Sequence, residues 1–214
     1  MPSGLRKGLT PAKILEEAFA LVDTGGPSAL TMRALAQRLD VAPMAIYNHY
    51  RDRDAILDAL AEQAFARLQG SAFGADGGKS WKAKLRMVLM NAKNLAGRHP
   101  HILRLAMTRP NKPPSALTLT DEAHQALCEA GLTSIQALTV YHTFVMLLQG
   151  FPFWQESFDR HYLRADNPEM QFPAGWNANK QFEAGVDWLI DSADQLTRQR
   201  SKPKPAKRKA TRKP

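Results

Sequence analysis

The chain has 214 residues, 44% of them apolar, enough for one large domain or two modest ones with a real core. Its single cysteine, Cys128, excludes an intramolecular disulfide and fits a reducing cytoplasm; no run approaches the ~18 apolar residues of a membrane span, and no apolar signal core is expected at the N-terminus. The formal net charge of +9 is uneven: residues 1–69 hold 8 Lys and Arg against 8 Asp and Glu, 70–199 hold 13 against 12, and 200–214 hold 8 against none, so the basicity belongs to the tail and not to a face of the folded body.

Residues 1–9 are short and mixed; Arg6 and Lys7 read either as solvated charge or as an arm touching phosphate. Thr10-Pro11 predicts a helix start, a hydroxyl cap followed by proline in the first turn. Ile14, Leu15, Ala18, Phe19 and Val22 recur at helical spacing until Asp23-Thr24-Gly25-Gly26, where glycine supplies a left-handed cap.

Residues 31–50 organise the chain. They read as two short helices joined by a tight turn, the spacing of a DNA-reading helix-turn-helix. Thr31 caps the first helix, Leu35 and Leu39 share one face with Ala36 beside them, and Arg33 and Arg38 project away. Arg38 reads as a solvated face. Asp40 falls where the turn needs a residue tolerant of positive φ. Pro43 opens the second helix, Ile46, Tyr47 and Tyr50 continue an apolar stripe, and Pro43, Met44, Tyr47 and Asn48 face outward. So short a helix is held only by packing. Tyr47 and Tyr50 also admit a core role, Tyr50 more than Tyr47. A further helix starts near Asp52, which can cap it, and continues through Ile56, Leu57, Leu60, Ala64, Phe65 and Leu68.

Three stretches carry a family likeness: Leu30-Thr31-Met32-Arg33-x-Leu35-Ala36, then Leu39-Asp40-Val41-Ala42-Pro43-Met44-Ala45-Ile46-Tyr47-x-His49-Tyr50, then Arg51-Asp52-Arg53-Asp54-x-Ile56-Leu57-Asp58-Ala59-Leu60. Over residues 10–68 the chain resembles the N-terminal domain of the tetracycline-repressor (TetR) family of bacterial regulators. The resemblance implies that Thr31, Met32 and Arg33 lie at the groove edge. It implies that Pro43, Met44, Tyr47 and Asn48 face the major groove, and that His49 and Arg53 grip phosphate. Arg33 and Asn48 would suit guanine and adenine edges; Tyr47 and Met44 would suit thymine methyl groups. The chain departs from the family at Asp40, often Gly, and at Ala42, often Ser or Thr; neither is expected as a contact.

Beyond a glycine-rich stretch at 69–80, the pattern is helical again. Gly78-Lys79-Ser80 suggests a phosphate loop, but Phe73 stands where glycine is required and no strand precedes it. Helices are predicted from Trp81 to Gly97, from Pro100 past Met107, and from Ser115 to Ala130. Another starts at Thr133-Ser134 and is bent or ended at Gly150–Trp154, with a polar stretch to Ala178. The last, Asn179–Gln199, spaces Phe182, Val186, Leu189, Ala193 and Leu196 by alternating fours and threes, the seam of a two-helix contact. In the resembled family the final two helices pair across a two-fold axis. Leu138, Tyr141 and Val145 would join that seam as a homodimer interface.

Trp81, Met87, Met107, Phe144, Met146, Phe151 and Trp154, with His142, suggest an effector pocket between bundle helices. His124 and His142 read as facing a common cavity, and Cys128 as a small buried hydrophobe. There is no Gly-x-Ser-x-Gly elbow, no His-Glu-x-x-His and no cysteine pair, so no enzyme, cofactor or metal is expected. Residues 200–214 cannot form a core; they read as a solubilising tail or as a sequence-blind grip on DNA.

The expectation is an all-α, dimeric protein of about nine helices. Residues 1–68 form an N-terminal three-helix helix-turn-helix DNA-binding domain, 79–199 an effector-binding and dimerisation bundle, and 200–214 a disordered basic tail. Its partners are an operator in double-stranded DNA, a second copy of itself and a small, mostly apolar effector, in the cytoplasm and with no membrane. The rivals are an architectural DNA-binding protein led by the tail and a helical ligand-binding protein or enzyme whose first domain only scaffolds.

Overall fold

Helix starts lie where side chains supply the missing acceptors. The structure, a computed structural model, describes residues 8–70, 80–161 and 176–200. Thr10 Oγ1 accepts from the Lys13 amide at 3.3 Å and opens α1 (Pro11–Gly25). After a 3-10 turn at Pro27–Ala29, Thr31 Oγ1 accepts from the Ala34 amide at 3.0 Å and opens α2 (Met32–Leu39). Asp40 takes the left-handed conformation, φ 53, ψ 48, as the turn requires. Pro43 starts α3 (Pro43–Tyr47), where Ala42 makes no side-chain cap. Asp52 Oδ1 accepts from the Ala55 amide at 2.7 Å and opens α4 (Arg53–Gly70). Ser80 caps α5 (Trp81–Arg98), and α6 (Pro100–Thr108) follows. Then come α7 (Pro114–Glu129), ended at Gly131 with φ 109, α8 (Ser134–His161) and α9 (Ala178–Arg200). All regular structure among the described residues is helical. The expected Arg6-Lys7 arm, most of the 69–80 stretch and the basic tail lie outside the described residues.

One core runs through both halves of the chain. α4 buries Ile56, Leu60 and Ala64 along one line and Leu57, Ala61, Phe65 and Leu68 along neighbouring ones, so it packs on α1, α5, α6 and α7 together. Polar fastenings reinforce this. Glu62 of α4 accepts from the amide and hydroxyl of Ser115, placing a carboxylate at the start of α7. Arg109 bridges from the end of α6 to Asp58 at 2.6 Å and Asp54 at 3.2 Å, and these carboxylates push its pKa above the usual guanidinium value. At the other end of α6, His99 Nδ1 lies 2.8 Å from Asp23 Oδ2 of α1, with Phe19 edge-on to the imidazole.

Gly26 ends α1 at φ 72, ψ 179, a backbone region in which essentially only glycine rests, with the His101 ring against it. Gly26→Ala should lower unfolding stability by about 1–3 kcal/mol, read as a reduced urea midpoint with unchanged slope. An unchanged midpoint would show that the chain ends α1 in another way.

Of the two outcomes expected at Gly150–Trp154, a bend or an end, the helix does not end there: it runs through Pro152 to His161. A mid-helix proline costs about 3 kcal/mol by removing an amide donor and crowding the preceding turn. Tertiary burial offsets it: Phe151 is buried against Phe182 of α9, ring centroids 4.6 Å apart, and the Trp154 ring lies 5.9 Å from that of Trp176. α7 starts at Pro114, one residue before the predicted Ser115.

Candidate functional site

α3 is only five residues long, and its inner side is pinned by Ile46, which is fully buried, and by half-buried Tyr50. Burial raises the Tyr50 phenol above its ordinary pKa. The outer side is open. Met44 is 72% exposed and Tyr47 45%, and Pro43, Asn48 and His49 are exposed beside them. Exposed Thr31 and Arg33 stand at the start of α2, Thr31 already engaged as its cap. These residues form one surface bearing donors, acceptors and apolar tips.

Three expectations change on inspection of this region. Met32 does not face outward; it is half-buried against the core. Arg38 is not merely solvated, because its Nε donates to Glu17 of α1 at 2.8 Å. Arg53 turns inward: its Nε donates to the Leu30 carbonyl and its Nη2 to the Pro27 carbonyl, both at 2.6 Å. Those carbonyls lie in the turn between α1 and α2, where that of Pro27 also accepts the Leu30 amide at 3.3 Å, so Arg53 is a latch that seats this turn on α4. Arg51 was overlooked. Its side chain is 82% exposed immediately before α4 and pairs with its neighbour Asp52 at 3.0 Å, next to His49.

Two adjoining cavities open in the second half of the chain. The smaller, about 390 Å³, lies between α4, α5, α7 and α8, with Phe65, Leu89, Ala116 and Phe144 in its wall. The larger, about 1020 Å³, lies between α5, α6, α8 and the start of α9. Met107, Leu148 and Gln149 line both. Of the expected pocket residues, Met107, His142 and Phe144 line the smaller cavity and Phe151 the larger. Trp81 is elsewhere, packed by Leu127, Leu132 and Ala137, while Met146 is 64% exposed and Trp154 also reaches the surface. Phe144 and Met146 are two residues apart on one helix, about 200° round it, so both cannot point inward. Met87 lines neither cavity.

The expected subunit seam divides likewise. Tyr141 and Val145 line the smaller cavity, Tyr141 OH 2.8 Å from Thr120 Oγ1, with burial raising the phenol pKa against that bond. Phe182, Val186 and Ala193 are buried within their own subunit, where α9 packs on α5 and α8, so they cannot present a seam. Leu189 is half-buried, and Leu138 and Leu196 reach the surface. The outward apolar residues are instead Ile135 and Met146 of α8 and Trp188, 71% exposed, with Leu196 of α9.

The histidines and the cysteine separate too. His124 Nε2 lies 3.0 Å from Ser134 Oγ rather than in the cavity with His142, and Cys128 is half-buried with its Sγ 3.7 Å from that ring nitrogen. Among the described residues no three His, Cys, Asp or Glu side chains group as metal ligands. No helix among them is long and apolar enough to cross a membrane.

Residues 14–60 match the family model of bacterial regulatory proteins, tetR family. Over 123 residues the chain is 31% identical to an HTH-type transcriptional regulator of Saccharopolyspora erythraea, covering 58% of this chain and 51% of the relative. It is 33% identical over 143 residues to the tetracycline repressor protein class A from transposon 1721 of Escherichia coli, covering 63% of this chain and 62% of that one. The match thus spans 51% and 62% of these two curated relatives' length. The fold matches that of a TetR variant from Acinetobacter baumannii AYE in complex with minocycline, with a TM-score of 0.69 at 22% identity over 91% of this chain and 99% of the neighbour. Residues 14–60 are thus similar in sequence to the tetR family of bacterial regulatory proteins, and the helical architecture is matched nearly end to end by that neighbour.

Proposed function

We propose that this chain is a ligand-responsive, DNA-binding transcriptional repressor of the cytoplasm, acting as a homodimer on a near-palindromic operator. The observation that carries the reading is the exposed Met44–Asn48 surface of α3, held outward by buried Ile46. Two such surfaces about 34–36 Å apart would enter successive major grooves. Thr31, Arg33, Pro43, Met44, Tyr47, Asn48 and His49 would meet the duplex, with Arg51 joining them at the phosphates. Residues up to 68 would read DNA and 79–199 would bind effector and partner; the 200–214 tail would add an electrostatic grip.

The cavities between α4 and α9 suit a small, mostly apolar effector, as a neighbour's minocycline complex suggests by analogy. α6 connects the two ends: one side lines both cavities, and its termini are fastened to α1 and α4 by His99 and Arg109. An effector that favours a shifted α6 would bias the spacing of the two reading helices, which is release by differential binding.

The subunit contact would use Ile135, Met146, Trp188 and Leu196, with Leu138 and Leu189 at its margin. Trp188→Glu should weaken dimerisation by about thirtyfold or more, the scale of a central aromatic anchor, without loss of helix content. Sedimentation showing an undisturbed dimer would remove this face from the contact. Selection from random duplex DNA tests the function itself. A discrete near-palindromic site is expected; diffuse, sequence-blind protection would favour an architectural role led by the tail.

A further inference from the structure

The two cavities carry a charge pattern that goes further than their apolar walls. Among the described residues, no Asp or Glu lines either one. Basic groups do: Lys112 and His142 at the smaller, and Lys93, His101 and Arg104 at the larger. They are not equivalent. Lys93 is neutralised by Glu183, 3.0 Å away, and Lys112 donates to the Met107 carbonyl at 2.9 Å. Arg104 has no carboxylate partner among the described residues. Three residues before it on the same side of α6 is His101, and four after it is Thr108; all three line the larger cavity. Ile102, Leu105 and Ala106 on the other side of α6 are buried in the core shared with α4. The start of α6, at Pro100, also borders this cavity and has no side-chain cap, which adds partial positive charge there.

We infer that the two cavities form one site for an amphipathic organic anion: the apolar body occupies the smaller chamber, passes Met107 and Leu148, and sets its acid group against Arg104 and His101. This deepens, and rests on, the reading of the cavities as the effector site. A cation there would meet the positive charge of Arg104, and a neutral ligand would leave the Arg104 fork unused. The acid group would pull on the side of α6 opposite its packing against α4, so charge recognition and release of DNA would share one helix.

The test uses the full chain with three probes of equal chain length, decanoate, decan-1-ol and decyltrimethylammonium, each below its micelle concentration. Calorimetry should give decanoate about tenfold tighter than the alcohol, the worth of one charge-assisted hydrogen bond, and the ammonium weakest. Arg104→Gln should bring decanoate to the alcohol's affinity, and Arg104→Glu should reverse the order of the two ions. Leu148→Trp, with Ala116→Phe as a second block should the first unfold, should reduce binding of all three. Equal binding of the three probes, blocked by Leu148→Trp, would overturn the anion inference and leave the ligand cavity standing. Preference for decanoate that survives Arg104→Gln and vanishes in Lys112→Gln would overturn the placement of the acid group. No binding of any probe, or binding indifferent to both blocking variants, would overturn the cavity reading itself.

Discussion

Replacing Tyr47 or Asn48 by alanine removes most of the preference for the selected duplex while affinity for unrelated DNA stays nearly constant. Both side chains are exposed on a helix whose inner side is anchored by Ile46, so truncating them leaves the fold intact. An asparagine amide bidentate to adenine, or a ring against a thymine methyl, contributes about 1–3 kcal/mol of discrimination, and a symmetric dimer loses it at both half-sites. The expected loss is therefore about tenfold to a hundredfold per half-site in the ratio of specific to non-specific binding. Competition titrations at fixed salt measure it. Full discrimination retained by both variants would show that α3 does not read bases.

Arg53→Ala should behave in the opposite way, lowering stability before it changes DNA recognition. Its two 2.6 Å bonds satisfy the carbonyls of Pro27 and fully buried Leu30. Without the guanidinium the Leu30 carbonyl loses its charged donor while that of Pro27 keeps the Leu30 amide at 3.3 Å, a cost of about 1–3 kcal/mol against the roughly 5–15 kcal/mol that holds a domain together. Arg53→Lys should recover little, because an ammonium cannot fork across two acceptors. Urea unfolding of Arg53→Ala, set beside His49→Ala and Arg51→Ala, separates the roles. The latter two should keep their midpoints and flatten the salt dependence of DNA binding. An unchanged midpoint for Arg53→Ala, with uniformly weaker DNA binding, would return it to the phosphate role that the family resemblance implies.

The two halves of the chain are packed together through α4. α4 is not a divider between domains. Its buried lines face α1 on one side and α6 and α7 on another, while Glu62, Asp54 and Asp58 tie those helices to it. Close-packed helices of this kind move as units, so under the proposed function a shift of α6 would be felt at α1 and α4.

Local features were legible in the chain. Thr10, Thr31 and Asp52 start helices because capping depends on groups three residues away, Pro43 because its φ is fixed and it has no N–H to satisfy, and Asp40 takes positive φ because the α2–α3 turn demands it. The exposed side of α3 was legible for the same reason, since a five-residue helix between a proline and an aromatic pair has few ways to turn its side chains. Periodicity named which residues of α8 and α9 are apolar, but not what covers them. Phe182, Val186 and Ala193 fit a subunit seam and a subunit core equally well, and only the packing of α9 on α5 and α8 decides between them. The course of α8 past Pro152, the inward turn of Arg53 and the place of Arg104 at the cavity wall, with no carboxylate partner among the described residues, were decided in the same way. Each depends on groups dozens of residues away in sequence, which spacing along the chain cannot reveal and only the assembled fold brings into contact.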